Sequence, residues 1–403
     1  MNYFDHNATA PIWDAAKDAW NQASDRYWQN PSSPYRAAAK VRIQLELARE
    51  SMAELLELSP ERIVFTSGGT EANNSIFRYW AEHFPKVAEN RQKGKSTSLG
   101  FEGVVGLNPT EHPSVSDSVK HHSGLKLELL EINSDGTLNL NALEAQFKKN
   151  AFQAISVMAA NNETGILNDW EKIAALAKHY SVQFHCDASQ WFGRLSPRGF
   201  GACDFVTGCA HKFGGPKGVG FVVIPQGARG FNIRHGGDQE GGHRAGTEDF
   251  PSISAMLKAL ILSEQKRVAE GFFEMSRSLR AEFIQGIKKV VPEVLIVGES
   301  APCLWNTVGM IVPHFLSEQW VSELEKKGYF ISTGSACSTG LNKTSSVLNA
   351  MGFSTMEAKR FIRISSGLET SAENWRGLLE AMSQVHSELS LTQDEGQTII
   401  IDP

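Results

Sequence analysis

A lysine, a carboxylate and a thiol carry most of the chemistry this sequence can offer. Lys212 stands in Cys209-Ala210-His211-Lys212-Phe213-Gly214-Gly215-Pro216-Lys217-Gly218, after an apolar run and before a Gly-Gly-Pro turn. A lysine amine forms Schiff bases with carbonyl groups once desolvation or neighbouring cations free it of its proton. Lys217 is a rival nearby, and two solvated loop lysines are the plainer alternative. Asp187 lies upstream in His185-Cys186-Asp187-Ala188-Ser189-Gln190. At the end of a strand its carboxylate would point into a ligand crevice and could hold a proton on a heterocyclic nitrogen, making that ring an electron sink; the alternative is a helix cap. His185, Cys186 and Asp187 make a poor metal set because adjacent strand side chains alternate faces, and no metal site is expected. Cys337 lies in Ser332-Thr333-Gly334-Ser335-Ala336-Cys337-Ser338-Thr339-Gly340. A core cysteine has apolar neighbours; serine, threonine and glycine on both sides predict an exposed, mobile loop instead. A thiolate on such a loop can attack inside a pocket and carry a product outward.

A fourth segment, Ser67-Gly68-Gly69-Thr70-Glu71-Ala72-Asn73-Asn74, reads as a strand end, a glycine turn and a helix start with Thr70 near its cap. Helix N-termini present unpaired N–H groups and a positive dipole end that suit a phosphate. An ordinary capped helix is the alternative. No Gly-Lys-Ser/Thr follows, so this is not a nucleotide-triphosphate loop.

These residues need a frame. Strand-like runs occur at Arg62 to Thr66, Ala154 to Ala159, Val182 to Cys186, Phe205 to Thr207 and Val219 to Ile224, with helical patterns between several of them, clearest at Trp170 to Tyr180. Strands alternating with helices imply crossover units and a mostly parallel sheet, and such sheets bind ligands beyond their carboxyl ends. The character changes after about residue 255. A single long helix over Ile253 to Lys289 is expected to connect to a second unit, with strands at Val294 to Val297 and Thr307 to Val312 and a last helix around Trp375 to Leu389. The polar stretch Lys86 to Gly100 reads as a surface loop, and the tail from Leu391 to Pro403 is left unassigned.

Composition narrows the class. At 41% hydrophobic and 21% charged residues the chain fits a water-soluble globular protein. A formal net charge of -6 lacks the basic footprint of a nucleic-acid binder. No apolar run is long enough to span a membrane, and the polar start MNYFDHNATAP lacks the regions of a signal peptide. A cytoplasmic location is expected. The five cysteines are scattered, with no C-x-x-C pair, so neither a disulfide framework nor a structural zinc site is expected.

SGGTEANN, TEHPSV around His112, HCDASQ around Asp187 and AHKFGGPKG around Lys212 occur in an order and spacing that resemble the class V aminotransferase superfamily of pyridoxal-phosphate enzymes. Within it the chain resembles the group I cysteine desulfurases, and the likeness runs from YFDHNATAP to IRISSG around Arg363. The resemblance implies an α/β chain with the type I fold of pyridoxal-phosphate-dependent transferases. A large domain, 13–255, would hold a mostly parallel seven-stranded sheet flanked by helices, and a smaller α+β domain, 1–12 with 256–403, would carry the cysteine loop.

It also implies roles at matching positions. Lys212 should hold pyridoxal 5'-phosphate as an imine, and His112 should lie over its ring and move protons. Asp187 should pair with the ring nitrogen and Gln190 with the phenolic oxygen. Asn162 should sit near that oxygen or the substrate carboxylate. Gly69, Thr70 and His211 should contact the phosphate, with Cys209 alongside, and Thr247 should reach the phosphate of a partner subunit in a homodimer. Arg363 should clamp the substrate carboxylate, although in isolation it reads as a surface arginine of an edge strand. Cys337 should take sulfur from L-cysteine as a persulfide, leaving L-alanine, and pass it to an acceptor such as an iron–sulfur scaffold or a tRNA-thiolating protein. Selenocysteine lysis, transamination and a non-catalytic scaffold role remain the alternatives.

Three positions depart from the family pattern. Cys209 stands where a hydroxyl residue is common, and a thiol is a weaker donor. Gly241 stands where arginine is frequent, and Asp249 replaces a usual asparagine.

Overall fold

The computed structural model describes residues 2–84, 103–122, 124–334 and 345–397, with side chains to residue 391. Its strands in chain order are β1 (Asn2–Tyr3), β2 (Ile63–Thr66), β3 (Gly103–Leu107), β4 (Leu125–Leu129), β5 (Ala154–Ser156), β6 (Gln183–Asp187), β7 (Phe205–Cys209), β8 (Gly220–Val223), β9 (Leu295–Ile296), β10 (Thr307–Ile311), β11 (Tyr329–Phe330) and β12 (Phe361–Ser365). Seven of them form one sheet in the order β2-β8-β7-β6-β5-β3-β4. From β7 to β4 every pairing is parallel, whereas β8 runs antiparallel to both β2 and β7. The carboxyl ends of β2, β3, β5, β6 and β7 therefore share one edge of the sheet, the edge where such folds bind ligands.

The inner strands are apolar on both faces because both are covered. Ile63, Phe65, Ile155, Phe184, Val206, Phe221 and Val223 join one core with the helices Arg36–Leu56, Trp170–His179 and Phe250–Arg267. Val64, Val105, Leu107, Phe205 and Val222 face the helix Gly69–His83 on the other side. Burial on both faces explains why these strands read as continuous apolar runs rather than alternating ones.

A second core gathers around the antiparallel sheet β12-β10-β9 and the helices Phe272–Val290, Ser317–Lys326 and Ala372–Gln397. Phe4 is packed in it, and β1 pairs with β11. A few residues later Ile12 and Trp13 pack against the first core. Residues 4–13 thus thread from one core to the other, past the sheet edge that bears the site.

The sequence predicts one helix over Ile253 to Lys289; two are found, Phe250–Arg267 and Phe272–Val290. Gly271, at φ 72°, caps the second helix in a conformation only glycine adopts freely. The first helix packs its Phe250, Ile253, Met256 and Leu260 into the large core, so its packing does not change at residue 255. Asp249, one of the departures from the family pattern, caps it by accepting from the Ser252 N–H at 3.1 Å. The strands β3 and β4 have no counterpart in the sequence reading, because Gly103–Leu107 is short and contains two glycines and Leu125–Leu129 is a partly exposed edge strand. The Lys86 to Gly100 loop lies outside the described residues, as do most of the tail's side chains.

Candidate active site

Lys212 closes a short 3-10 turn, Ala210–Lys212, at the carboxyl end of β7. Gly214 then turns the chain at φ 84°, and a Cβ there would sit 1.8 Å from the Trp13 ring. Glycine is required for that crossing, and Trp13 answers it by donating from Nε1 to the Phe213 carbonyl at 3.0 Å. The Lys212 amine donates to the carbonyls of Asn7 at 2.6 Å and Ala8 at 2.8 Å. It opens into a cavity of about 290 Å³, whose wall includes Asn162, Asp187, Gln190, Cys209, His211 and Arg363. Lys217 borders an adjoining pocket that shares Ala8, Gly69, Thr70 and His211 with this cavity, but it is not on the cavity's own wall.

Asp187 ends β6, one strand away. Its Oδ2 accepts from Asn73 Nδ2 at 2.9 Å and its Oδ1 from the Ser189 N–H at 3.0 Å. Asn73 Nδ2 also donates to Ser114 Oγ at 2.9 Å, and that hydroxyl lies 2.8 Å from His112 Nδ1. One chain of polar contacts therefore joins the carboxylate to the histidine. His112 caps the helix Pro113–His121 by accepting from the Ser114 N–H at 3.1 Å. That bond occupies Nδ1 as an acceptor and leaves the proton on Nε2. Burial holds the imidazole below its usual pKa against the opposing pull of Asp187, so the ring is neutral. Glu111, next in sequence, is wholly buried; burial and then the charge of Asp187 push its carboxyl well above the usual range, against the backbone N–H bonds it accepts.

At one end of the cavity stand Gly69, Thr70, Cys209 and His211. Gly68, not Thr70, is the cap of the helix Gly69–His83; at φ 144° it occupies a region closed to other residues, and no side chain caps the first turn. The N–H groups there are left for a ligand, and an anion suits them. His211 meets Thr9 Oγ1 at 3.3 Å; burial, then Lys212, Lys217 and Arg194, lower its pKa to about 4. Cys209 is buried, which raises its thiol above the usual value.

At the other end Arg363 projects from β12. It is not the surface residue its edge strand suggested: only 2% of the side chain is exposed. Nη1 donates to the carbonyls of Asn162 at 3.1 Å and Gly334 at 3.0 Å, and Nη2 donates to Asp5 Oδ1 at 2.6 Å. Glu163 lies on the same wall and accepts from Ser345 Oγ. Four buried polar atoms among the described residues of this cavity have no hydrogen-bond partner: Asn73 Oδ1, Asn162 Oδ1, Gln190 Oε1 and Arg363 Nε. Buried polar groups are normally paired, so these atoms mark where a polar ligand would complete the site.

The structure thus brings Lys212, Asp187, His112, Gln190, Asn162, Gly69, Thr70, Cys209, His211 and Arg363 to one cavity. Thr247 is exposed and is not on its wall. Cys337 lies outside the described residues. Sequence reasoning missed Asn7, whose carbonyl accepts from both Lys212 and Gln190 and whose Oδ1 accepts from Arg194. It also missed Asp5 and Asn73. Asn73 stands in the quoted SGGTEANN stretch, four residues into a helix whose start faces the cavity; that position was the available signal. Asp5 and Asn7 stand in the quoted YFDHNATAP stretch, which marked the segment but not their partners, since those lie far along the chain.

The Aminotransferase class-V family model matches residues 2–376. The chain is 30% identical over 392 residues to "Cysteine desulfurase IscS" of Dictyoglomus turgidum, covering 96% of this chain and 95% of that protein. It is 32% identical over 385 residues to the "IscS-like cysteine desulfurase" of Mycobacterium tuberculosis, covering 93% of each. A solved NifS-like protein superimposes with a TM-score of 0.83 at 28% identity, over 96% of this chain and 99% of the other.

Proposed function

The chain belongs to the class V aminotransferase family, and from that premise we propose that it is a pyridoxal-phosphate-dependent cysteine desulfurase. The carrying observation is the convergence of Lys212, Asp187, His112 and Arg363 on one cavity. Relatives at about 30% identity along nearly the whole chain bear the cysteine desulfurase name.

The residues present fit the cofactor. The uncapped start of the helix Gly69–His83, with Thr70 and His211, would hold its phosphate. Asp187 would hold the ring-nitrogen proton, His112 would lie on the ring, and the unpartnered amide oxygens of Gln190 and Asn162 would accept from N–H or O–H groups of the cofactor or substrate. When bound, pyridoxal phosphate supplies an electron sink next to the amino nitrogen of an amino acid. Lys212 anchors it through its amine and, once released, takes the α-proton of L-cysteine at Nζ. The carbonyls of Asn7 and Ala8 stand ready to receive the resulting ammonium. Arg363 receives the substrate carboxylate, and its spare Nε–H is one donor for it. Neutral His112 presents its Nε2 proton as a hydrogen-bond donor and adds no charge to the cavity. Cys337 Sγ, as thiolate, attacks the substrate sulfur. An S–S bond forms as the Cβ–S bond breaks, and the products are L-alanine and a persulfide on Cys337.

Cys337 is three residues from Gly334, whose carbonyl touches Arg363 on the cavity wall. Ser345, beyond the same segment, is bonded to Glu163 of that wall. The exposed Thr247 fits a homodimer in which it serves the partner's phosphate end. A sulfur-acceptor protein, such as an iron–sulfur scaffold, and a cytoplasmic setting complete the proposal.

The test is Cys337→Ala. The variant should keep the visible absorbance of the bound cofactor and lose sulfide release from L-cysteine. Sulfide at the wild-type rate would overturn the assignment, and 3-mercaptopyruvate, the 2-oxo acid that keeps its sulfur, in place of alanine would point to transamination.

A further inference from the structure

Asp5 is absent from the cavity wall, yet it is the anion paired with Arg363. Its Oδ1 lies 2.6 Å from Nη2, and its side chain is 20% exposed against 2% for the arginine. The other terminal nitrogen, Nη1, is spent on carbonyls. Two carboxyls among the described residues line the cavity: Asp187 is engaged with Asn73 and the Ser189 N–H, and Glu163, raised from its ordinary pKa by burial, is bonded to Ser345 and is a poor counter-charge. Arg194, buried nearby, adds positive charge.

Asp5 is also firmly placed. Its carbonyl accepts from Tyr3 Oη at 3.0 Å and from the Ala8 N–H at 3.0 Å. The segment forms a bridge to Ser365 on β12, two residues beyond Arg363. The carboxylate is therefore a built-in partner on the side of the guanidinium away from the cavity. The Nε–H stays unspent.

On the reading that Arg363 receives the substrate carboxylate, we propose that Asp5 is a positioning residue that sets substrate selection. It already balances the guanidinium charge. A carboxylate entering alone gains little attraction from a neutral pair, and it must overcome repulsion from Asp5. An amino acid also engages through its amino group and is retained. The ligand class rejected is the simple carboxylate without an α-amino group.

The test uses the holoenzyme, Asp5→Asn, Asp5→Glu and Arg363→Ala, with propionate as probe. Propionate is measured as a competitive inhibitor against L-cysteine and, apart from turnover, by calorimetric titration. Asparagine keeps an oxygen acceptor and removes the charge. Asp5→Asn should bind propionate at least tenfold more tightly than wild type and should shift KM for cysteine by a smaller factor, because cysteine's ammonium loses attraction as its carboxylate loses repulsion; Asp5→Glu should restore the wild-type affinity. A residue that merely braced the fold would weaken binding when replaced, the opposite sign. Unchanged or weaker propionate binding in Asp5→Asn, with Arg363→Ala abolishing it, would overturn the role of Asp5 alone. Propionate binding indifferent to Arg363→Ala would refute the carboxylate reading of Arg363, and the proposal with it. Should Asp5→Asn not fold, Asp5→Ser removes the same charge and is judged by the same outcomes.

Discussion

Replacing Arg363 by lysine keeps the charge and removes the fork. The guanidinium meets three protein acceptors with its terminal nitrogens and still has an Nε–H to offer. An ammonium has one nitrogen and three donors. If it stays with Asp5 and one carbonyl, a single N–H remains, and the two-point contact with a substrate carboxylate is lost. One charge-assisted hydrogen bond contributes about 1.5–3 kcal/mol. At about 1.4 kcal/mol per factor of ten, KM for cysteine should rise roughly 10- to 150-fold. The carboxylate does not change during the reaction, so the loss falls on ground state and transition state alike and kcat should change much less. The assay is alanine formation against cysteine concentration, with circular dichroism and cofactor absorbance confirming an intact holoenzyme. A KM within threefold of wild type would refute the clamp. A kcat that fell as far as kcat/KM would place Arg363 in the chemical step instead.

Two other consequences concern stability. Arg49 pairs with Glu240 through Nη1 at 2.8 Å and Nη2 at 2.9 Å, and Glu240 also accepts from the Phe65 N–H at 2.8 Å, all in buried surroundings. Glu240→Ala leaves the buried Arg49 with the half-exposed Glu46 as its remaining ion-pair partner, unpairs the Phe65 N–H, and should cost about 3 kcal/mol in urea unfolding; a loss under 1 kcal/mol would contradict the geometry. His211 has its pKa lowered to about 4 from the usual 6.5. The unfolded chain then binds the extra proton between those values, so this stabilising effect is whole above pH 6.5 and drains as the pH falls toward 4. His211→Gln should flatten the fall of the denaturation midpoint across that window, and identical pH profiles would refute the lowered value.

Much of the site was legible because its residues sit at punctuation points. Asp187 and Lys212 follow apolar runs directly, and runs buried on both faces are strands whatever their neighbours do. The start of the helix Gly69–His83 was visible for the same reason, although the cap is Gly68: the turn needs φ 144°, which outweighs the capping preference of Thr70. Two helices were read as one because Gly271 is an isolated punctuation mark in an otherwise helical stretch. The partners of Asp5 and Asn7 could not be read at all. Asp5 meets Arg363 across 358 residues and Asn7 meets Lys212 across 205. Local pattern is silent on such contacts, which exist because residues 4–13 thread between two cores. Arg363 misled in isolation for a related reason, since the acceptors that bury it come from three distant segments.

The central claim is that one lysine in this cavity anchors the ring chemistry that takes sulfur from cysteine. It is tested most directly by counting products. Purified protein supplied with pyridoxal phosphate, L-cysteine and a thiol reductant should release alanine and sulfide in equal amounts, and Lys212→Ala should release neither while remaining folded. Equal product formation by the two proteins, or sulfide without alanine, would contradict the account.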